Sequence, residues 1–308
     1  MPFKEYMMPI LQIVAPSGYP QDQNSVARAV AYFTERGWMV RGQGAALRHF
    51  QRFAGTDAER LAEINNLMRF ADGQEKKPDL VMALRGGYGV SRFMDLIDFE
   101  ALAQVDLRFM GHSDFTAFCL GYYAKTGRPS YIGPMACFDF GPEVPSLFME
   151  AHFWQLLAQG HDVVIVEAAQ PHQFEAEGVL WGGNLTMVNQ LVGTPFLPDV
   201  KGGILFLEDI NEHPYRIERN LYQLRDAGIL EQQAAVILGQ FNGYKLYDND
   251  HGYDFDEMVA HMRSRCDVPI LTDLPFGHVR DKVTLPIGQV AQLRVLGDVG
   301  YRLTVHAI

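Results

Sequence analysis

Four short stretches carry residue types that could do chemistry: "GHSDF" at 111–115, "LRGGYG" at 84–89, "LEDINEH" at 207–213 and "FGH" at 276–278. In the first, Gly-His-Ser-Asp interrupts an apolar run between Phe109-Met110 and Phe115. A serine on a strand-to-helix turn projects beside free backbone N–H groups, which can stabilise an oxyanion. The second glycine of G-x-S-x-G is missing, and Ser and Asp lead the N-cap preferences. Taken alone, Ser113 or Asp114 therefore reads more plainly as a helix cap. In the second stretch, Gly86 and Gly87 have no Cβ, so their backbone amides can approach a ligand closely. A tight strand-to-helix turn explains the same pair. Neither G-K-[ST] nor G-x-G-x-x-G is present, which argues against a phosphate loop.

In the third stretch, Glu208 and Asp209 end an apolar strand, where a carboxylate can be partly buried and held. Glu208, Asp209, Glu212 and His213 could instead bind a metal, but the spacing matches no helical zinc motif such as H-E-x-x-H. A charged helix start accounts for most of these residues. In the fourth, His278 follows Gly277 in a loop between strands, where a solvated surface histidine is the ordinary reading.

The elements that must position these residues alternate in the first half. "ILQIVAPSG" reads as a buried strand and turn, and "DQNSVARAVAYFTERG" as a helix stopped by Gly37. "WMVRG" is a short strand and "DAERLAEINNLMRFAD" an amphipathic helix that Asp57 can cap. "DLVMALRGGYG" is a strand breaking into a turn, and "VSRFMDLID" a helix. "DLRFMGHSD", "FTAFCLGYYAKTG" and "SYIGPM" give strand and turn, helix, and a last strand. Repeated β-α units imply a parallel sheet with helices on both faces, whose ligands sit beyond the carboxyl ends of the strands. That places Pro16-Ser17-Gly18, Arg85–Gly89 and Gly111–Asp114 along one edge. Residues 144–173 read as a helical connector followed by "DVVIVEAAQPHQ". In the second half "EGVLWGGNLTMVNQLVG" is strand, Gly-Gly turn and helix, and the chain closes in a β-rich tail.

With 308 residues there is room for two domains. The formal net charge of −11 and the absence of a basic run exclude nucleic acid as a partner. Three scattered cysteines, Cys119, Cys137 and Cys266, fit buried thiols rather than a disulfide framework or a zinc ribbon. No stretch approaches the ~20 apolar residues of a membrane span, and the first residues do not read as a secretion signal. The expectation is a cytoplasmic protein without a membrane partner.

Together these stretches are more specific than any one of them. The chain resembles the LD-carboxypeptidase family, serine peptidases that trim murein peptides. The resemblance runs over nearly the whole length, on "IVAPSG", "RFAGTDAERLAEIN", "ALRGGYG", "GHSDFTA", "GPM", "EGVLWGGNL", "GTP", "ILFLEDINEHPYRIER" and "FGH" followed by "VTLPIG". It implies a Ser-His-Glu triad with Ser113 as nucleophile, His278 as base and Glu208 as acid. It also implies an oxyanion hole from the backbone N–H groups of Gly87 and Asp114. The physical logic agrees, because serine needs a base for its proton, and an imidazole with ordinary pKa about 6.5 can serve near neutrality. The carboxylate then fixes the imidazole tautomer and stabilises the imidazolium.

The fold expected is α/β. An N-terminal parallel-sheet domain of Rossmann/flavodoxin-like type (1–150) carries the serine, and a C-terminal mixed, β-rich α/β domain (174–308) carries Glu208 and His278. Residues 151–173 connect them, and the site lies between the domains. No cofactor and no metal are expected; the partners implied are a murein tetrapeptide and a second copy of the chain in a homodimer. The function expected is release of the terminal D-alanine from murein tetrapeptides during cell-wall recycling. The alternatives are a hydrolase of the same family acting on peptidyl-nucleotide antibiotics, a metal-dependent hydrolase, and a non-catalytic cell-wall peptide-binding protein. Arg85, Arg216 and Arg219 could hold substrate carboxylates or form structural ion pairs.

Overall fold

The computed structural model describes residues 8–308, so the reading of the first seven residues as free of a leader lies outside the described residues. The chain folds as two compact units. One runs up to Phe115 and takes in Pro134–Pro145; the other comprises Thr116–Gly133 and Ser146–Ile308.

In the first unit the strands are β1 (Ile10–Val14), β2 (Met39–Arg41), β3 (Leu80–Ala83) and β4 (Phe109–Gly111). They lie parallel in the order β2-β1-β3-β4. That order is the doubly wound one, and β1 and β3 flank the position where it reverses. Every residue of β1, β3 and β4 is buried, the continuous apolar pattern of a parallel sheet covered on both faces.

The helices of this unit are α1 (Gln23–Glu35), α2 (Asp57–Asn65) and α3 (Phe99–Val105). Asp22 caps α1, and Gly37, the stop implied by the sequence, follows it with φ 80°. Two local readings change and one element is new. Thr56, not Asp57, caps α2, in a capping box with Glu59, and this leaves Asp57 for Arg60 and Arg92. Residues 90–98 form two 3₁₀ turns rather than a helix, because Phe93 at φ −138° interrupts them. α3 had no sequence reading; it is short and begins at an Asp98 cap.

α4 (Phe115–Thr126) follows Ser113, then β5 (Ser130–Ile132) and the single turn α5 (Ala136–Asp139). The remaining elements are α6 (Leu147–Gln159), β6 (His161–Val166), β7 (Gln173–Asn184), α7 (Leu185–Leu191), β8 (Ile204–Ile210), α8 (Pro214–Asp226), β9 (Ala235–Asn242), α9 (Phe255–Arg265), β10 (Ile270–Leu271), β11 (Leu285–Ile287), β12 (Val290–Leu296) and β13 (Tyr301–His306).

In the second unit seven strands form a mixed sheet in the order β10-β9-β8-β7-β12-β13-β6. β7 to β10 are parallel, and β12, β13 and β6 pair antiparallel. β5 and β11 form a further antiparallel pair. β12 alternates strictly between exposed and buried residues, so one face of that region meets solvent. β6 pairs with β13 along its whole length.

Gly182-Gly183 is not a turn. β7 runs through both glycines to Asn184, because they allow contacts that a side chain would forbid. A Cβ on Gly182 would lie 1.9 Å from the Phe206 carbonyl oxygen, and one on Gly183 would lie 2.7 Å from the Thr116 methyl. Among the described residues no helix is long and apolar enough to cross a membrane.

Candidate active site

Ser113 sits on the turn between β4 and α4, half-buried between the fully buried His112 and Asp114. Its φ is 59°, in the left-handed region. An N-cap residue ordinarily takes extended backbone angles, so this is the geometry of an exposed turn residue rather than of a plain helix cap. A non-glycine residue held there costs on the order of 1–3 kcal/mol, which the surroundings must offset.

The surroundings are close-packed main chain. A Cβ added at Gly86 would lie 2.6 Å from Ser113 Cβ, 2.7 Å from its Oγ and 3.6 Å from the Asp114 nitrogen. The turn after β3 therefore passes directly against the serine. Gly87 next to it has φ 115°. A Cβ on Gly111 would lie 2.8 Å from Ala83 Cβ and 2.7 Å from the Phe115 ring.

Asp114 ties three loops together. Its carboxylate accepts from Ser17 Oγ at 2.6 Å and from the Val90 N–H at 3.0 Å. Burial pushes this carboxyl above the usual carboxylate range, opposed by the bonds from Ser17 and Val90. Ser17 follows β1 and Val90 follows β3. The three stretches read from sequence as one sheet edge are thus joined through one carboxylate.

In the second unit Glu208, fully buried near the end of β8, lies 2.8 Å through Oε2 from His278 Nδ1. Asn184 Nδ2 donates to Glu208 Oε1 at 3.2 Å and to Asp209 Oδ1 at 3.0 Å. Adjacent residues of a regular strand point to opposite faces. Here the pairing of β8 with β9 shifts register between Leu207 and Asp209, and this irregularity lets both carboxylates reach one amide. Asp209 also accepts from the Thr186 N–H at 2.9 Å and from its hydroxyl at 2.7 Å, while burial raises its pKa.

His278 is held from the other side. Asn242 Nδ2 donates to its carbonyl at 3.0 Å, and Gly277 precedes it with φ 151°. A Cβ on Gly277 would lie 2.8 Å from the Gln240 carbonyl oxygen and 3.4 Å from Glu208 Cβ. The glycine lets the loop approach closely enough for the imidazole to meet the acid.

Among the described residues no three His, Cys, Asp or Glu side chains gather to hold a metal. The four residues weighed as ligands disperse. Glu208 faces His278, Asp209 faces Thr186 and Asn184, Glu212 pairs with Arg216, and His213 pairs with Asp250 and caps α8.

Sequence reasoning gave Asn184 no role. It lies in the "GGNL" stretch and caps α7, accepting from the Met187 N–H at 3.1 Å. An asparagine before a helix is satisfied by that reading, so nothing in the sequence pointed to its second task at the carboxylates.

A family model described as the LD-carboxypeptidase N-terminal domain matches residues 11–133, and its C-terminal counterpart matches 177–293. A probable murein peptide carboxypeptidase of Bacillus subtilis is 30% identical over 285 residues, 91% of this chain and 87% of that one. The chain belongs to the LD-carboxypeptidase family. Among other LD-carboxypeptidase relatives, the murein tetrapeptide carboxypeptidase of Pseudomonas aeruginosa is 30% identical over 255 residues, 79% of this chain and 80% of that one. The crystal structure of muramoyltetrapeptide carboxypeptidase from Oxalobacter formigenes superposes with a TM-score of 0.89 at 41% identity, covering 97% of this chain and all of that one. The two-domain α/β architecture expected from the sequence is the fold of this family.

Proposed function

We propose that the protein is a serine-type L,D-carboxypeptidase that releases terminal D-alanine from murein tetrapeptides, with Ser113, His278 and Glu208 as its triad. The observation that carries the reading is the 2.8 Å contact between His278 Nδ1 and a Glu208 carboxylate withdrawn from solvent. That contact favours the tautomer in which Nδ1 carries the proton, so that Nε2 is the ring atom to take one up.

Ser113 Oγ attacks the scissile carbonyl while His278 Nε2 takes its proton. Glu208 stabilises the imidazolium, and the N–H groups of Gly87 and Asp114 receive the developing oxyanion. Collapse returns the proton to the departing amine of D-alanine and leaves an ester on Ser113. A water, deprotonated by His278, then hydrolyses that ester, and Ser113 recovers its proton. Asp114 serves through its backbone N–H, which its carboxylate positions by tying the loops from β1 and β3 to this turn. The enzyme acts in the cytoplasm on recycled wall fragments, as a homodimer.

The test is purified protein incubated with murein tetrapeptide, with and without saturating chelator, products read by mass. Loss of one D-alanine at an unchanged rate with chelator is expected. No release, or release abolished by chelator and restored by zinc, removes the serine reading.

A further inference from the structure

A carboxypeptidase must recognise the free end of its peptide as well as cut near it. The terminal carboxylate lies one residue beyond the scissile carbonyl, about 3.8 Å along the chain. A group that selects that carboxylate must therefore stand beside the oxyanion donors.

One side chain in the first unit meets this condition. Gly18, Tyr19, Arg52, Arg85, Gly87 and Tyr88 contribute to the wall of a pocket of about 320 Å³. Arg52 and Arg85 line it, and no carboxylate does, in a chain with 37 acidic against 26 basic residues. Arg85 is half-buried, and its Nη1 donates to the Tyr19 carbonyl at 3.0 Å. Its Nη2 is 3.8 Å from where a Cβ of Gly87 would sit, and its Nε is 3.5 Å from the corresponding point on Gly18. No carboxylate pairs with Arg85 among the described residues. Elsewhere Arg28, Arg48, Arg60, Arg92 and Arg225 each pair with an acid.

We infer that Arg85 is the specificity residue that receives the terminal carboxylate of the peptide, and so makes the site a carboxypeptidase rather than an endopeptidase. The inference rests on the serine reading above. The bond to Tyr19 and the glycine at position 18 hold the guanidinium in place before substrate arrives. Arg85-Gly86-Gly87 then presents, in three consecutive residues, a cation, a close approach to Ser113 and the proposed oxyanion N–H. A guanidinium fork matches a carboxylate by two parallel hydrogen bonds, which a lysine cannot reproduce. Arg52 adds positive charge to the same pocket.

The experiment compares the tetrapeptide with its C-terminal amide, as kcat/KM on the native enzyme and on Arg85→Met and Arg85→Lys. The same two peptides are titrated as ligands in a Ser113→Ala background, where turnover plays no part. The native enzyme should favour the free acid on the order of 10²-fold, the range of a charged hydrogen-bonded pair. That ratio should fall toward one in Arg85→Met and recover only in part in Arg85→Lys, in both kinetics and binding. Thermal melting of each variant separates misfolding from loss of recognition, and the binding ratio is read only on folded protein. An unchanged acid-to-amide ratio in folded Arg85→Met overturns the inference, as does an equal loss on both peptides. Ser113→Ala remaining active would instead sink the underlying serine reading, so the two failures are distinguishable.

Discussion

Around Ser113 the positioning atoms belong mostly to the backbone, whereas around His278 they belong mostly to side chains. The serine turn has a left-handed residue, a glycine whose added Cβ would lie 2.6 Å from the serine Cβ, and a neighbour at φ 115°. The His278 region has a chain of amides and carboxylates running from Thr186 through Asp209, Asn184 and Glu208 to His278. A backbone-built site is damaged by adding atoms where glycine is required. A site built from polar side chains is damaged by removing atoms, because each deletion leaves a buried partner unsatisfied.

The largest effects should come from the proposed reacting groups on either side of that comparison. Ser113→Ala should lose on the order of 10⁴-fold or more in kcat with an unchanged fold, His278→Ala nearly as much, and Glu208→Ala somewhat less. Steady-state kinetics decide this, and a serine variant keeping a tenth of the activity would leave Ser113 a mere turn residue.

The next effect tests the backbone side alone. Gly86→Ala introduces a Cβ that must push Ser113 or its own turn aside, and a displacement near 1 Å can cost about 10²-fold in rate. Expected is a large fall in kcat with little change in melting temperature. Activity within twofold of native would show that this close approach does not position Ser113 for catalysis.

The side-chain counterpart is Asn184→Ala, which removes one donor from Glu208 and one from Asp209 and also the cap of α7. A loss of about 1–3 kcal/mol in stability is expected from the unsatisfied carboxylates, together with lower kcat. Asn184→Ser should restore the cap and little else, so denaturant unfolding of the two variants separates the roles. Equal stability of serine and alanine variants would deny the cap a share.

The smallest effect draws the two regions together, because each buries a carboxyl whose pKa burial raises: Asp114 in one and Asp209 in the other. A raised folded-state pKa means that the neutral carboxyl suits the folded site better than the carboxylate. The stabilisation is complete below the unfolded value and is lost as pH climbs through the raised folded value. Asp114→Asn and Asp209→Asn keep a neutral group at every pH. Their melting temperatures, relative to native, should therefore improve as pH rises from about 4 toward neutrality, by about 2–4 °C for each ~1 kcal/mol. A difference that does not change with pH would mean that burial does not govern these groups.

Much of the first unit was legible in sequence because its signals are local. Strands with unbroken apolar runs, a helix ending at Gly37 and breaks at Ser17, Arg85 and Ser113 each declare themselves within a few residues. The types of Ser113, Glu208 and His278 were legible, but their proposed roles came from resemblance, since each also had an ordinary structural reading. Asn184 escaped because its cap explains it completely at short range. Gly182-Gly183 misled because two glycines signal a turn in sequence. What they accommodate, the Phe206 carbonyl and the Thr116 methyl, lies on other segments of the chain. The two 3₁₀ turns after Gly89 were read as a helix from periodicity, which cannot see the angles at Phe93.

The left-handed backbone at Ser113 also restricts which amino acids could ever occupy that position. Threonine carries the same hydroxyl and would be the obvious chemical substitute, but a branched Cβ makes φ near 59° a severe outlier. Its extra methyl would also crowd the Gly86 main chain, already within reach of Ser113 Cβ. Cysteine has an unbranched Cβ and meets neither obstacle to the same degree. Lineages that replaced Ser113 would then be expected to pass to a thiol and not to threonine, although threonine is the nearer relative of serine in its chemistry.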